Sequence, residues 1–518
     1  MSGEGSGFMN IHKTSLLLRV ISLILTALLL SSALISCGGG GSGNQPSAET
    51  SSPDTVSVPD TAADETPETV SPDPKIEAAD CDGASFAILS RERPEGNFCY
   101  PYKEFFASEE NGDVINDAVF ARNLAVTEKY NITLELPENP DVQSATNRAV
   151  MAGEDSYDIV VPMHLQAYNM SVAGHLTNIA DIPYVDIEKP YWRTSVMKNA
   201  SVGGSNYFAT GDLNLAALNG VGVLFFNKEL AAERNIDDLY DTVRAGDWTL
   251  DRFTDYCRGI TMDLNGDQQL NGEDMFGLTV NGFVWQPLFA ATNSVIVGKD
   301  SEDIPYFAWD TPHNLEVIER IVNFVNNRES VILVNQFPEL QDANGWGQAS
   351  IDMFNEARAL FWAEQIYGVH TLRNMDTDFG ILPYPKYNDK QEDYTAYMHC
   401  GWTSTTCVPI TNTDLDLTGR ILEDLAYQSS ITVRPAYYDV TLKGKISRDN
   451  DSGDMLDIIY TRVNLDPVLL MGGLPVDNTM RNFLIKNNLN FASEIESLKS
   501  QCVAKLASDV EALLKLAE

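Results

Sequence analysis

Between Asp263 and Asp274 the chain reads Asp-Leu-Asn-Gly-Asp-Gln-Gln-Leu-Asn-Gly-Glu-Asp. Asp263, Asn265, Asp267, Asn271 and Asp274 put side-chain oxygens at positions 1, 3, 5, 9 and 12, and Gln269 would add a backbone carbonyl at position 7. That is the spacing of a loop that wraps a hard cation such as calcium, with Leu270 at its apolar position. Gln268 stands where position 6 calls for glycine, and Asp274 where glutamate is usual. A bound ion would be structural, pinning a loop; the other reading is a solvated acidic turn. The six histidines (His12, His164, His175, His313, His370 and His399) contain no pair at helix-face metal spacing. No G-x-S-x-G elbow and no G-x-x-x-x-G-K-[ST] phosphate loop occurs. Carboxylates are so abundant that the pair a glycosidase needs cannot be singled out. The tryptophans say more. A sugar ring packs its C–H face on an aromatic plane, while its hydroxyls need polar partners. Trp285, Trp309, Trp346, Trp362 and Trp402 are therefore platform candidates, each with core packing as the competing use.

The elements that must position these residues begin near residue 85. Short apolar runs at 85–89, 132–136, 157–161, 221–226, 359–362 and 379–382 read as strands, and helical periodicity fills the stretches between them. The alternation predicts an α/β fold. Thr311-Pro312 supplies an N-cap and an N1 proline for a helix with Leu315, Ile318, Ile321, Val322 and Val325 on one face. Ser493-x-x-Glu496 reads as the capping box of a last helix striped by Ile495, Leu498, Cys502, Leu506, Val510 and Leu513. Trp248 precedes Thr249, a helix N-cap, and is expected to pack rather than to bind.

The chain has 518 residues, 35 Lys+Arg against 74 Asp+Glu, and a formal charge of −39. So acidic a surface favours solubility and repels phosphate backbones, which excludes nucleic acid as a partner. Residues 1–36 carry Lys13 and Arg19 ahead of the apolar run 20–35, an export signal too short for a comfortable membrane span. The run ends Leu34-Ile35-Ser36-Cys37, which resembles the bacterial lipobox; that resemblance makes Cys37 the lipidated residue and the new N-terminus. Residues 37–80 hold the anchor and a Gly-, Ser-, Pro- and Thr-rich leash without an aromatic residue, expected to be disordered. A leash of that length hints at a Gram-positive surface. With Cys37 set aside six cysteines remain. Cys81 with Cys99 and Cys400 with Cys407 are closest in sequence, and free thiols are the open alternative.

Several segments resemble the family 1 extracellular solute-binding proteins, a group that includes maltose- and oligosaccharide-binding proteins. Tyr157-Asp-Ile-Val-Val161 with Gly174-His-Leu176 and Ile179 is similar to the family's first-lobe strand and turn. Gly211-Asp212 and Val223-Leu-Phe-Phe-Asn-Lys-Glu-Leu230 resemble its first crossover, Gly246-Asp-Trp-Thr249 a second-lobe helix start, and Phe379-Gly-Ile-Leu-Pro-Tyr-Pro385 its return crossover. Tyr437-Tyr438, Leu442-Lys443 and residues 455–459 resemble the C-terminal part of large members. The resemblance covers about 84–504. It implies a two-lobed, type II periplasmic-binding-protein-like α/β fold with a ligand cleft, lobe one at 81–212 plus 381–430 and lobe two at 213–380 plus 431–518. It also implies a non-enzymatic monomer that closes on a carbohydrate, in particular an oligosaccharide, and hands it to the permease subunits of an ABC importer. Contact with the membrane would be through the lipid anchor alone. By position in the family, the ligand-binding residues would be Met163, His164, Gln166, Asp212, Phe283, Trp285, Gln286, Trp362, Glu364 and Trp402. The rival readings are a secreted glycan-acting enzyme and a ligand-sensing receptor.

Overall fold

The computed structural model describes residues 72–92, 102–341, 347–438, 450–465 and 472–517. The export segment, Cys37, most of the leash, Cys99, Trp346 and the Leu442-Lys443 pair lie outside the described residues. The strands are β1 (Ala84–Arg91), β2 (Ile132–Glu135), β3 (Glu138–Asn139), β4 (Ile159–Val161), β5 (Gly222–Asn227), β6 (Phe276–Val280), β7 (Val297–Lys299), β8 (Pro305–Phe307), β9 (Val331–Leu333), β10 (Ala359–Gln365), β11 (Phe379–Leu382), β12 (Ala396–Met398) and β13 (Val463–Leu465). All six expected strands are present.

Two sheets form. In the first, β1 pairs in parallel with β2, β3 and β4. The second runs β11-β5-β10-β6-β9, parallel at β10–β6 and β6–β9 and antiparallel at β10–β5 and β11–β5. Every residue of β5 and β6 is buried. Strands covered on both faces by helices need such continuous apolar runs, with no polar alternation. Around the first sheet, Phe86, Ile88, Tyr130, Ile159 and Leu422 belong to one core. The helices Val114–Tyr130 and Leu415–Ile431 flank it, each started by an aspartate that accepts backbone N–H groups: Asp113 from Ile115 and Asn116, Asp414 from Leu417.

Local signals set some of the helix starts. Thr311 caps Pro312–Val325 through the N–H of Asn314, and Thr249 caps Leu250–Cys257 through that of Arg252. The last helix departs from expectation. It starts at Phe491 with Asn490 as N-cap, so Ser493 lies inside the first turn and no capping box forms. Its predicted stripe faces inward, with Ile495, Cys502, Leu506 and Leu513 buried. The leash also ends earlier than expected, because Ile76 and Ala79 pack against the first core.

The chain leaves the first sheet through residues 209–221 and returns through 398–409, where Ala209 bridges Thr406, Val160 bridges Cys407 and Val221 bridges Met398, all antiparallel. The return was expected at 381. β11 is hydrogen-bonded to β5 in the second sheet, and Lys386 N donates to Trp248 O, so the return falls near 399–403. Cys400 and Cys407 both lie buried on this return with no disulfide between them, and Cys81 is not in a disulfide either. Among the described residues, no helix is long and apolar enough to cross a membrane.

Candidate functional site

Ligands of open α/β sheets bind beyond the carboxyl ends of parallel strands. Both sheets present those ends at the crossovers. Past β4, Met163 bridges Ser404 and His164 N donates to Thr403 O; past β10, Ile366 N donates to Val221 O. What gathers there comes from six separate stretches of the sequence.

Trp402 sits on the return crossover with part of its surface accessible. Its ring meets Tyr367 edge-on at 5.5 Å and His399 at 6.5 Å. It can sit so close because the first crossover has a glycine at 220: a Cβ there would fall 3.2 Å from Trp402 and 2.1 Å from the Thr403 methyl. His399 Nδ1 accepts the N–H of Gly401 at 2.8 Å, which leaves the proton on Nε2, and burial lowers the ring to about 4. It is thus a neutral donor. Glu364 closes β10, 8% exposed, with the Tyr367 hydroxyl and the Gln365 N–H donating to its carboxyl, which burial pushes up to about 7. On the other flank Tyr102, from the segment after β1, meets His370 edge-on at 5.5 Å and Tyr437 at 6.2 Å. Tyr437 donates to Asn219 Oδ1 at 2.7 Å, and Tyr460 to Leu218 O at 2.9 Å. Glu104 stitches the base: its Oε1 accepts the Ala216 N–H at 2.7 Å and the Ser404 hydroxyl at 2.5 Å. Aromatic edges beside polar groups, with the buried carboxyls of Glu364 and Glu104, suit a polar solute that has apolar faces.

Of the expected site residues, Trp402 and Glu364 join this cluster. Met163 and Gln166 are half-buried past β4, where Arg91 donates to the Met163 sulfur at 3.0 Å and Gln166 Oε1 accepts the Met163 N–H at 3.2 Å. Phe283, Trp285 and Gln286 form a second group past β6. Asp477 accepts from Trp285 Nε1 at 3.0 Å and from Gln286 Nε2 at 3.3 Å, and Arg481 lies over the Phe283 ring.

Four of the expected residues are placed in the interior. Trp362 is a core residue, wholly buried, stacked on Phe225 at 5.1 Å and backed by Phe354. Trp285 is likewise wholly buried, its indole N–H spent on Asp477. Neither presents a face to a solute. His164 is also interior. Its Nδ1 lies 3.1 Å from Thr403 O and 2.9 Å from Thr403 Oγ1, and its Nε2 2.8 Å from Thr210 Oγ1. A carbonyl can only accept, so Nδ1 carries the proton, and burial lowers the ring to about 4. It clasps the two crossovers together. Asp212 is fully buried between Arg193 at 3.2 Å and Arg434 at 3.5 Å; burial raises its carboxyl and the two guanidinium groups oppose the rise. It braces the first crossover.

The 263–274 loop has Gln268 at φ +65°, the left-handed conformation for which position 6 favours glycine. Asp263 accepts the N–H groups of Gly266 and Gln268, Asn265 that of Asp267, Asp267 that of Gln269, Asn271 that of Glu273, and Asp274 those of Leu264 and Asn271. Among the described residues, no three His, Cys, Asp or Glu side chains converge as a metal-ligand group. As placed, the loop is held by its own side-chain-to-backbone bonds.

Tyr102, Glu104, Asn219, Tyr367, His370, His399 and Tyr437 were missed by sequence reasoning. Tyr367 and His370 had one usable signal, their place just past the carboxyl end of an expected strand. The others had none.

The two α/β sheets joined by crossovers define the two-lobed, type II binding-protein fold. No family model matches the chain, and no curated protein matches it. Among solved structures it is similar to UgpB from Mycobacterium tuberculosis in complex with glycerophosphocholine, at 13% identity over 77% of this chain and 100% of that one, with a TM-score of 0.51. A cyclo/maltodextrin-binding protein complexed with maltotetraose matches at 12% identity over 84% and 97%, with a TM-score of 0.51. The apo-form of RafE from Streptococcus pneumoniae matches at 11% identity over 83% and 98%, with a TM-score of 0.50.

Proposed function

We propose that this protein captures a small polar solute, a carbohydrate and in particular an oligosaccharide, between its lobes for an ABC-type importer. The observation that carries this is the cluster of Trp402, Tyr367, His399 and Glu364 where the carboxyl ends of the second sheet meet both crossovers. The fold likeness supports it, since structures of that fold hold maltotetraose and glycerophosphocholine. Closure on the solute would be a rotation of the lobes about residues 209–221 and 398–409, favoured because both lobes then touch the ligand. Export and a diacylglyceryl anchor on Cys37 would hold the protein at the outer face of the cell membrane. Assignment to family 1 in particular rests on the sequence segments quoted above.

A thermal-shift screen against neutral oligosaccharides, amino acids and peptides tests the reading. A ligand of the folded state at 100 times its Kd adds about 2.7 kcal/mol of stability. Stabilisation by peptides or amino acids and by no sugar would overturn the carbohydrate assignment. Lipid labelling of the wild type that persists in Cys37→Ala would overturn the anchor.

A further inference from the structure

We propose that the lobes turn on one narrow pivot, Gly220 against the turn at 399–402, and that Thr403, Ser404, Thr405 and Thr406 lock the rest of the return crossover into lobe one. This rests on the capture reading above and narrows its hinge from 209–221 and 398–409 to a single crossing point, which also carries Trp402.

Four hydroxyl residues follow Trp402 in succession, and all four are buried. Each finds a different partner on lobe one or on the first crossover. Thr403 Oγ1 lies 2.9 Å from His164 Nδ1, and Ser404 donates to Glu104 Oε1 at 2.5 Å. Thr405 and Thr210 share a hydroxyl bond of 2.7 Å, and Thr406 Oγ1 accepts from Asn214 Nδ2 at 3.0 Å. Successive side chains of an extended run point to opposite faces, so the run is fastened from both sides. Its backbone is paired as well: Thr405 N donates to Pro162 O at 3.0 Å, Thr406 N to Ala209 O at 2.9 Å and Cys407 N to Val160 O at 2.9 Å. Bending there would break several buried hydrogen bonds at once and leave each group without its partner.

On the far side, Val221 O accepts from Ile366 N at 2.9 Å and Val221 bridges Met398, which pairs with Leu465 of β13. Between these two fastened stretches the crossovers meet at Gly220, and the bonding thins. His399 N reaches Gly220 O only at 3.4 Å, and Cys400 O takes the Leu165 N–H at 3.2 Å. A Cβ at 220 would fall 2.1 Å from the Thr403 methyl, 3.1 Å from Ala216 O and 3.2 Å from Trp402. The φ of Gly220 is −91°, open to any residue, so glycine is needed there for close approach and not for backbone shape. Rotation concentrates in the few residues where bonds resist it least and no side chain keeps the strands apart. The solute platform Trp402 is therefore carried by the pivot itself.

The test has two arms. The first needs no ligand and follows amide hydrogen exchange in wild type. Residues 399–402 should exchange about a hundredfold faster than the amides of Thr405, Thr406 and Cys407, since exchange follows local opening. Equal rates overturn the pivot. The second arm titrates maltotetraose and mannotriose by calorimetry and follows urea unfolding. Gly220→Ala forces the crossovers apart, so fewer molecules can close, and affinity should fall roughly tenfold or more while the urea midpoint moves little. Adding Thr403→Ser, which removes the clashing methyl and keeps the hydroxyl, should restore binding. Thr405→Val, which removes only a bond of the locked run, should do the converse, with a lower midpoint and unchanged affinity. A Gly220→Ala protein that loses stability but binds like wild type reduces Gly220 to packing and overturns the pivot, as does a Thr405→Val protein that binds as weakly as Gly220→Ala. If Gly220→Ala does not fold, the exchange contrast decides. If neither sugar binds wild type, carbohydrate capture is overturned, and the exchange contrast still decides the pivot.

Discussion

Replacing His164 by glutamine should make the protein less stable at neutral pH and less sensitive to acid. The wild-type imidazole is fully buried, bonded to Thr403 on one side and Thr210 on the other, and its basicity falls from 6.5 to about 4. A histidine depressed in the folded state contributes stability above its unfolded value and loses it as pH falls toward the folded one, because the unfolded chain takes the proton first. The window is thus pH 6.5 down to 4. Each tenfold difference in proton affinity between the folded and unfolded chain is worth about 1.36 kcal/mol, so the full loss is about 3 kcal/mol, of which about 2 falls between pH 7.5 and 5. Glu364 works in the opposite sense over the same window, since its carboxyl is raised. Only the difference between wild type and His164→Gln isolates the histidine. Urea unfolding at pH 7.5, 6, 5.5 and 5 gives that difference. The mutant should start lower, having lost at least one buried hydrogen bond worth about 1 kcal/mol, and the gap should close or reverse by pH 5. Parallel curves over this range would refute the buried neutral imidazole and the clasp built on it.

Trp402→Ala should weaken solute binding by about 1–3 kcal/mol, one to two decades in affinity by calorimetry, with a near-normal melting temperature. Trp248→Ala and Trp362→Ala should do the converse, costing about 3–5 kcal/mol of stability in urea while the folded fraction binds normally, because both indoles are wholly buried. Asp212→Ala should cost on the order of 3 kcal/mol by leaving Arg193 and Arg434 without their shared buried carboxylate; Asp212→Asn should cost less, and an unchanged Cm would show that the brace does not matter. Asp263→Ala should lower the melting temperature even in chelator, since two backbone N–H groups lose their acceptor; a further calcium-dependent rise in wild type, lost in the mutant, would give the loop the ion its spacing suggests.

Whatever short-range physics encodes could be read along the chain. The apolar run 221–226 reads as a strand, and the structure buries every residue of β5; β6, with Gly277 and Thr279 in its short run, is equally buried but does not read as a strand. Thr249 and Thr311 set their helix starts because a cap reads only the next three N–H groups. Ser493 shows the limit of such signals: its motif is sound, but the helix has already begun at Phe491. Which polar and aromatic side chains keep an accessible face depends instead on how the elements come together. Trp362 and Trp402 are alike as letters in a sequence. Two facing aromatics at 225 and 354 turn the first into core, while the space left by Gly220 holds the second at the crossover. His164 reads as a solute contact from its place after a strand; its partners come from residues 210 and 403, which no local window contains. Tyr102, His370 and Tyr437 meet across more than three hundred residues of chain, since closure of the fold, and no sequence spacing, sets their distance.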